Sequence, residues 1–189
     1  KSFYSILHGL VGVTLLFHAH RLHKNEFIQS YFRDKSHIIF PNILSALEFF
    51  RTRNNFDMLS IFLDVANGLL ILSDDCNDIN FEIAKFIIES IPNTNHSIKV
   101  HSFNFLNTLF RKSHFSIEID QLLIQIFRSI EEDSFEVENA AFSTLITLIH
   151  SSAINQLELF LNENVFQALA KMYQSGLSSV LGDVMDSIL

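Results

Sequence analysis

The sequence predicts an all-α fold, a stack of short helices in an α-solenoid, and three observations carry that expectation. Breakers are scarce: five Gly and two Pro in 189 residues leave little of the turn chemistry that many short strands need. Apolar residues are 48% of the chain, twenty Phe among them, and they recur at helical spacing in nearly every stretch between short polar breaks. Sliding the chain against itself by 37 residues lays apolar on apolar at almost every position. Leu63, Ala66, Ile71 and Leu72 fall on Val100, Phe103, Thr108 and Leu109, and these fall on Val137, Ala140, Leu145 and Ile146. A further offset of 43 carries Val137, Phe142, Leu145 and Ile146 onto Val180, Met185, Ile188 and Leu189. Periods of this size belong to helical units that cannot bury their faces alone and stack on neighbours.

The elements follow in order. Helices are expected over 2–20, 25–33 and 42–52, with Pro41 in the first turn of the third, where its missing N–H costs nothing. The next spans 57–73, with Asp57 as N-cap and Leu59, Phe62, Leu63, Ala66, Leu69, Leu70 and Leu72 on one broad face. A helix over 78–91 stops at Pro92-Asn93. Six more are expected over 96–112, 117–131, 134–150, 153–161, 164–174 and 177–189.

Charge and cysteine exclude several classes. A length of 189 residues suits one domain, and 18% charged residues against about 25% in an average domain excludes a disordered tail. Thirteen Lys plus Arg against 21 Asp plus Glu give a net charge of −8, the wrong sign for nucleic acid. A single Cys, Cys76, supports neither a disulfide nor a cysteine zinc site, so an intracellular, cytoplasmic location is expected. Asn95-His96-Ser97 matches a glycosylation sequon of low specificity. The apolar run Ile6 to Phe17 is short of a span and closed by polar residues on both sides, so a buried helix is expected there and no membrane span. The row opens at Lys1 without Met, which suggests a piece of a longer protein.

One stretch resembles a known family. Glu136 to Ile149, then Ala153 to Phe160, then Leu161 to Gly176 is similar to the armadillo repeat, in which a long third helix precedes a short first and a second helix. Phe27 to Arg33 followed by Ile38 to Arg51 resembles the same short-helix and second-helix pair, and 77–133 is closer to the related HEAT pattern. The resemblance implies a right-handed armadillo/HEAT-like solenoid over 1–189, with approximate third helices 2–20, 57–73, 96–112, 134–150 and 178–189. It also implies a non-catalytic scaffold that binds protein partners along those third helices. In importin-alpha-like members that helix carries a Trp and, four residues on, an Asn that bonds an extended peptide. Here those positions hold Gly68 and Leu72, Phe105 and Leu109, Phe142 and Ile146, Met185 and Leu189, so that ladder is missing. Catenin-like members present a basic groove instead. Lys99, Arg111 and Lys112 stand here against Asp64, Glu136, Glu138, Asp183 and Asp186, which points to a neutral or basic partner. The apolar ends, 2–20 and 177–189, lack polar outer faces, so adjacent repeats of the same polypeptide are expected against them.

No residue is assigned a catalytic, cofactor or metal role. His20 and His23 lie about 200° and 140° around a helix from His18, so the three cannot converge on one ion. The acidic stretch from Asp74 to Asn80 lacks the ligand and Gly of a calcium loop and suits helix capping. Glu131-Glu132-Asp133-Ser134 reads as a turn and N-cap, and Cys76 with the scattered His96 and His101 makes no nucleophile pair. The competing expectation is a compact all-α bundle whose Phe residues line a ligand cavity, or a helical enzyme domain.

Overall fold

The computed structural model describes residues 3–73, 78–113, 119–130, 132, 134–151, 167 and 170. Among them the chain is all-helical, with seven α-helices and no strand: α1 (Phe3–His23), α2 (Glu26–Arg51), α3 (Phe56–Leu72), α4 (Asp78–Ser90), α5 (His96–Lys112), α6 (Ile119–Ile130) and α7 (Phe135–His150). A 3₁₀ turn, Ile91–Asn93, closes α4 at Pro92, as a residue without an N–H should. The expected helices 153–161, 164–174 and 177–189, Cys76 and most of the best armadillo-like stretch lie outside the described residues, apart from helical Gln167 and Ala170.

Local signals fix the starts. Asn25 caps α2 by accepting from the N–H groups of Phe27 and Ile28 at 2.9 and 3.2 Å. Asn55 accepts from Met58 N–H at 3.2 Å and Asn95 from Ile98 N–H at 3.0 Å. The cap of α3 is therefore Asn55, two residues before the expected Asp57, which sits in the first turn beside the positive end of the helix. Asn95, the Asn of the sequon, has a structural role here. Between α2 and α3 the chain turns back through Asn54 at φ 52°, a left-handed conformation that Asn tolerates better than most residues.

The second correction concerns α2. The two helices expected over 25–33 and 42–52 are one continuous helix, with Pro41 in its interior. Pro41 is exposed, so the carbonyl it leaves without an intrahelical partner, that of His37, faces the solvent side. Asn42 Nδ2 donates to the Ile38 carbonyl at 2.8 Å and Ser45 Oγ to the Pro41 carbonyl at 3.0 Å, which adds side-chain bonds around the break. The short-helix and second-helix pair read over 27–51 is thus a single helix.

Each helix packs on the one two places along the chain, and four neighbouring pairs also pack on each other. The principal contacts are α1 with α2, α2 with α3, α4 with α5 and α6 with α7, together with α1 to α3, α2 to α4, α3 to α5, α4 to α6 and α5 to α7. Two rows result, α1, α3, α5 and α7 in one and α2, α4 and α6 in the other, with the core between them. Phe40, Ile43, Leu59, Phe62, Leu70, Ile83, Phe103, Phe105, Leu122 and Val137 are among its fully buried members. Burial is worth about 1.5–3 kcal/mol for each aliphatic or aromatic side chain, which makes this apolar seam the main support of every helix.

Burial repeats along the two rows. Leu63, Val65, Ala66, Leu69 and Leu70 correspond to buried Phe103, Phe105, Leu106, Leu109 and Phe110, 40 residues on. Ile83, Ala84, Ile87, Ser90 and Ile91 correspond to buried Leu122, Leu123, Ile126, Ser129 and Ile130, 39 residues on. Caps follow the same intervals, Asn55 to Asn95 and Asn95 to Ser134. The offset of 37 has a different meaning: it separates residues in contact. Ser60 and Ser97 share a hydrogen bond of 2.8 Å, and His101 Nδ1 lies 3.9 Å from Asp64. On neighbouring parallel helices, facing side chains lie nearly one turn from the equivalent position.

Candidate functional site

The row of α1, α3, α5 and α7 is joined by polar side chains that the repeat places opposite one another. Thr108 Oγ1 donates to Asn67 Oδ1 at 2.7 Å, joining α5 to α3. Between α5 and α7, Asn107 Nδ2 donates to Ser143 Oγ at 2.5 Å, Thr147 Oγ1 to Asn107 Oδ1 at 2.9 Å, and Thr144 Oγ1 to the Phe103 carbonyl at 3.1 Å. Partner numbers rise together along α3, α5 and α7, so these three helices run parallel. The contacts of α1 with α3 run in reverse order: Phe17 packs on Gly68, and Arg21 Nη1 reaches Asp64 Oδ2 at 3.1 Å.

Two depressions open on this face and share Asn67. One, of about 300 Å³, lies between α1 and α3 and is lined by Phe17, His20, Arg21, Lys24, Asp64, Asn67 and Ile71. The other, of about 180 Å³, lies between α3 and α5 and is lined by Asn67, Asn104, Asn107, Thr108 and Arg111. The charges divide into those already engaged and those still open. Asp64 accepts from Arg21 and has His101 beside it. Lys112 Nζ donates to the carbonyls of Ile71 and Ser73 at 3.0 and 2.5 Å, so it neutralises the negative end of α3. Lys24 and Arg111 are exposed and form no ion pair among the described residues.

The remaining candidates fall elsewhere. Lys99 is almost wholly buried and ion-paired to Glu132, so it offers no charge to the groove. Glu136 and Glu138 occupy the first turn of α7, at the opposite end of the parallel helices, where acids suit the dipole. His96, Ser97, Lys99 and Glu132 line a further depression there of about 630 Å³. Asp183, Asp186, Met185 and Leu189 lie outside the described residues. Of the positions that hold Trp and Asn in importin-alpha-like repeats, Gly68, Phe105, Leu109 and Phe142 are buried in the core, so they present no side chain for a groove.

No metal centre forms from the described residues: no group of three His, Cys, Asp or Glu can hold an ion. His20 Nδ1 instead donates to the Asn25 carbonyl at 3.1 Å across the α1–α2 turn. Phe32, Phe40, Phe62, Phe103 and Phe105 are packed to below 2% exposure, so none of them lines a ligand cavity. No helix of the described residues is long and apolar enough to cross a membrane. Sequence reasoning named Arg111 but missed Lys24, Asn67 and Asn104. The available signal was the 40-residue cap interval, which lays Asn67 on Asn107.

Comparison of the chain with protein-family models, with curated proteins and with solved structures finds no match.

Proposed function

We propose that the chain is a non-catalytic protein-interaction scaffold in the cytoplasm, a right-handed α-solenoid of armadillo/HEAT-type helical units. The observation that carries this reading is the pattern of contacts. Each helix packs on the one two places along, and α2 with α3, α4 with α5 and α6 with α7 pair in units of 40 and 39 residues, as quasi-one-dimensional stacks do to bury a continuous core. Units of two helices, α2 with α3, α4 with α5 and α6 with α7, fit the HEAT pattern more closely than the three-helix armadillo one. On the row of α1, α3 and α5, exposed Asn104 and half-buried Asn67, the latter held by Thr108, offer positioned polar groups of the kind that recognition needs.

Scattering tests the architecture and crosslinking tests the role. A compact domain of this length should have a radius of gyration of about 16 Å, and an extended stack should exceed it. A photo-crosslinking residue at Asn104, on the α5 face, should capture a protein partner, while the same group at Lys35, on α2, should not. A compact radius would overturn the solenoid, and equal labelling from both positions would overturn the docking face.

A further inference from the structure

We propose that the two adjoining depressions across α1, α3 and α5 receive an acidic stretch of a partner protein, with separate side-chain carboxylates meeting Lys24 at one end and Arg111 at the other. This deepens the docking reading above and rests on it.

The sign of charge carries the inference. The chain is acidic overall, at −8, yet this depression holds Arg21, Lys24 and Arg111 with one carboxylate, Asp64, and Arg21 already engages that carboxylate. Lys112, next to it, is used on the carbonyls that end α3. The cations left over stand at opposite ends of the α3 face, Lys24 toward its start and Arg111 toward its end, with Asn67 between them. They form no ion pair among the described residues. A guanidinium in such a place offers a planar fork that matches a carboxylate with two parallel hydrogen bonds.

The neutral groups favour a polypeptide over other anions. Thr108 holds the Asn67 amide by one end, which leaves the other end to hydrogen-bond a peptide backbone. Asn104 adds an exposed amide, which can both donate to and accept from a peptide backbone. Ile71, 57% exposed at the rim, gives the stem of an acidic side chain an apolar surface. A nucleic-acid backbone would need many more cations than two against the repulsion of the whole chain.

Fluorescence polarisation with three labelled probes tests this: a peptide alternating Glu and Ser, one alternating Lys and Ser, and an oligothymidylate. The Glu peptide should bind the full 189-residue chain, more weakly as salt rises. Arg111→Glu should weaken it about tenfold or more, the loss expected for a charge-assisted pair. Lys24→Asn, which removes the charge but suits the left-handed backbone at φ 45°, should weaken it further, and Lys35→Glu on α2 should leave it unchanged. All three positions are exposed, so unchanged thermal melting confirms that the variants fold. A Glu peptide that fails to bind, or that ignores Arg111→Glu, overturns the proposal. Tighter binding of the oligothymidylate, lost in the same variants, overturns it in favour of a nucleic-acid backbone. Tighter binding of the Lys peptide, blocked by Asn104→Trp, overturns the acidic partner and keeps the docking face. If Asn104→Trp changes the binding of no probe, both readings fail.

Discussion

The ring of Phe17 in α1 lies on the Cα of Gly68 in α3, so close that a methyl group at position 68 would fall 1.7 Å from Phe17 Cζ and 2.0 Å from Cε2. The position serves helix packing, because only a residue without Cβ lets the two helices meet at this ring. Gly68→Ala should destabilise the chain by about 1–3 kcal/mol in urea unfolding, the usual cost of overpacking. In a Phe17→Ala background the sign should reverse: the ring is gone, and Ala is favoured over Gly inside a helix by about 1 kcal/mol. Destabilisation of equal size in both backgrounds would show that the ring is not the cause.

The caps predict a graded series. Asn55→Ala and Asn95→Ala each remove an acceptor from a first-turn N–H and should cost about 1 kcal/mol in thermal or urea unfolding. Ser134→Ala should cost distinctly less. Although Ser134 stands at the equivalent place before α7, its side chain makes no cap bond and donates instead to Glu136 at 3.3 Å. A Ser134→Ala loss as large as that of Asn95→Ala would contradict this ranking.

These caps also explain what was legible in the sequence. The bounds of α3 and α5 come within one or two residues because polar caps and short breaks mark both ends. Apolar matching alone slipped the repeat by about three residues, nearly one turn, since Leu, Ile, Phe and Val are interchangeable on a buried face and a slip of one turn preserves that face. Asn55, Asn95 and Ser134 would have fixed the register at 40 and 39. The site was harder to read. A charge tally over whole helices sets Glu136 and Glu138 against Lys112, whereas the parallel run of α5 and α7 puts them at opposite ends. Lys99 looked like a groove cation and is spent in the interior on Glu132.

Pro41 gives a stabilising prediction. Pro suits the first turn of a helix, but Pro41 sits inside α2, where it removes one backbone hydrogen bond. Since its ring is exposed, no core packing depends on it. Pro41→Ala should therefore raise stability by about 1–2 kcal/mol: about 3 kcal/mol from the better helix former, less about 1 kcal/mol for the freedom that Ala restores to the unfolded chain. A loss of stability in Pro41→Ala would mean that the ring contributes to the packing of α2.

The Lys99–Glu132 pair ties α5 to the turn between α6 and α7, and its side chains are only 11% and 24% exposed. The second carboxylate oxygen, Oε2, is buried without a hydrogen bond, and His96 Nε2 at 3.8 Å is beyond bonding range. Removing the cation alone leaves a carboxylate poorly placed to recover water. Lys99→Met should cost about 2–3 kcal/mol, toward the lower end for a broken buried pair because Glu132 retains some exposure. The double variant Lys99→Met/Glu132→Leu should recover most of that loss, since an apolar pair of similar volume replaces two desolvated charges. Additive losses in the double variant, measured by urea unfolding alongside both single variants, would show that the two residues act independently and that the ion pair contributes little to holding this turn on α5.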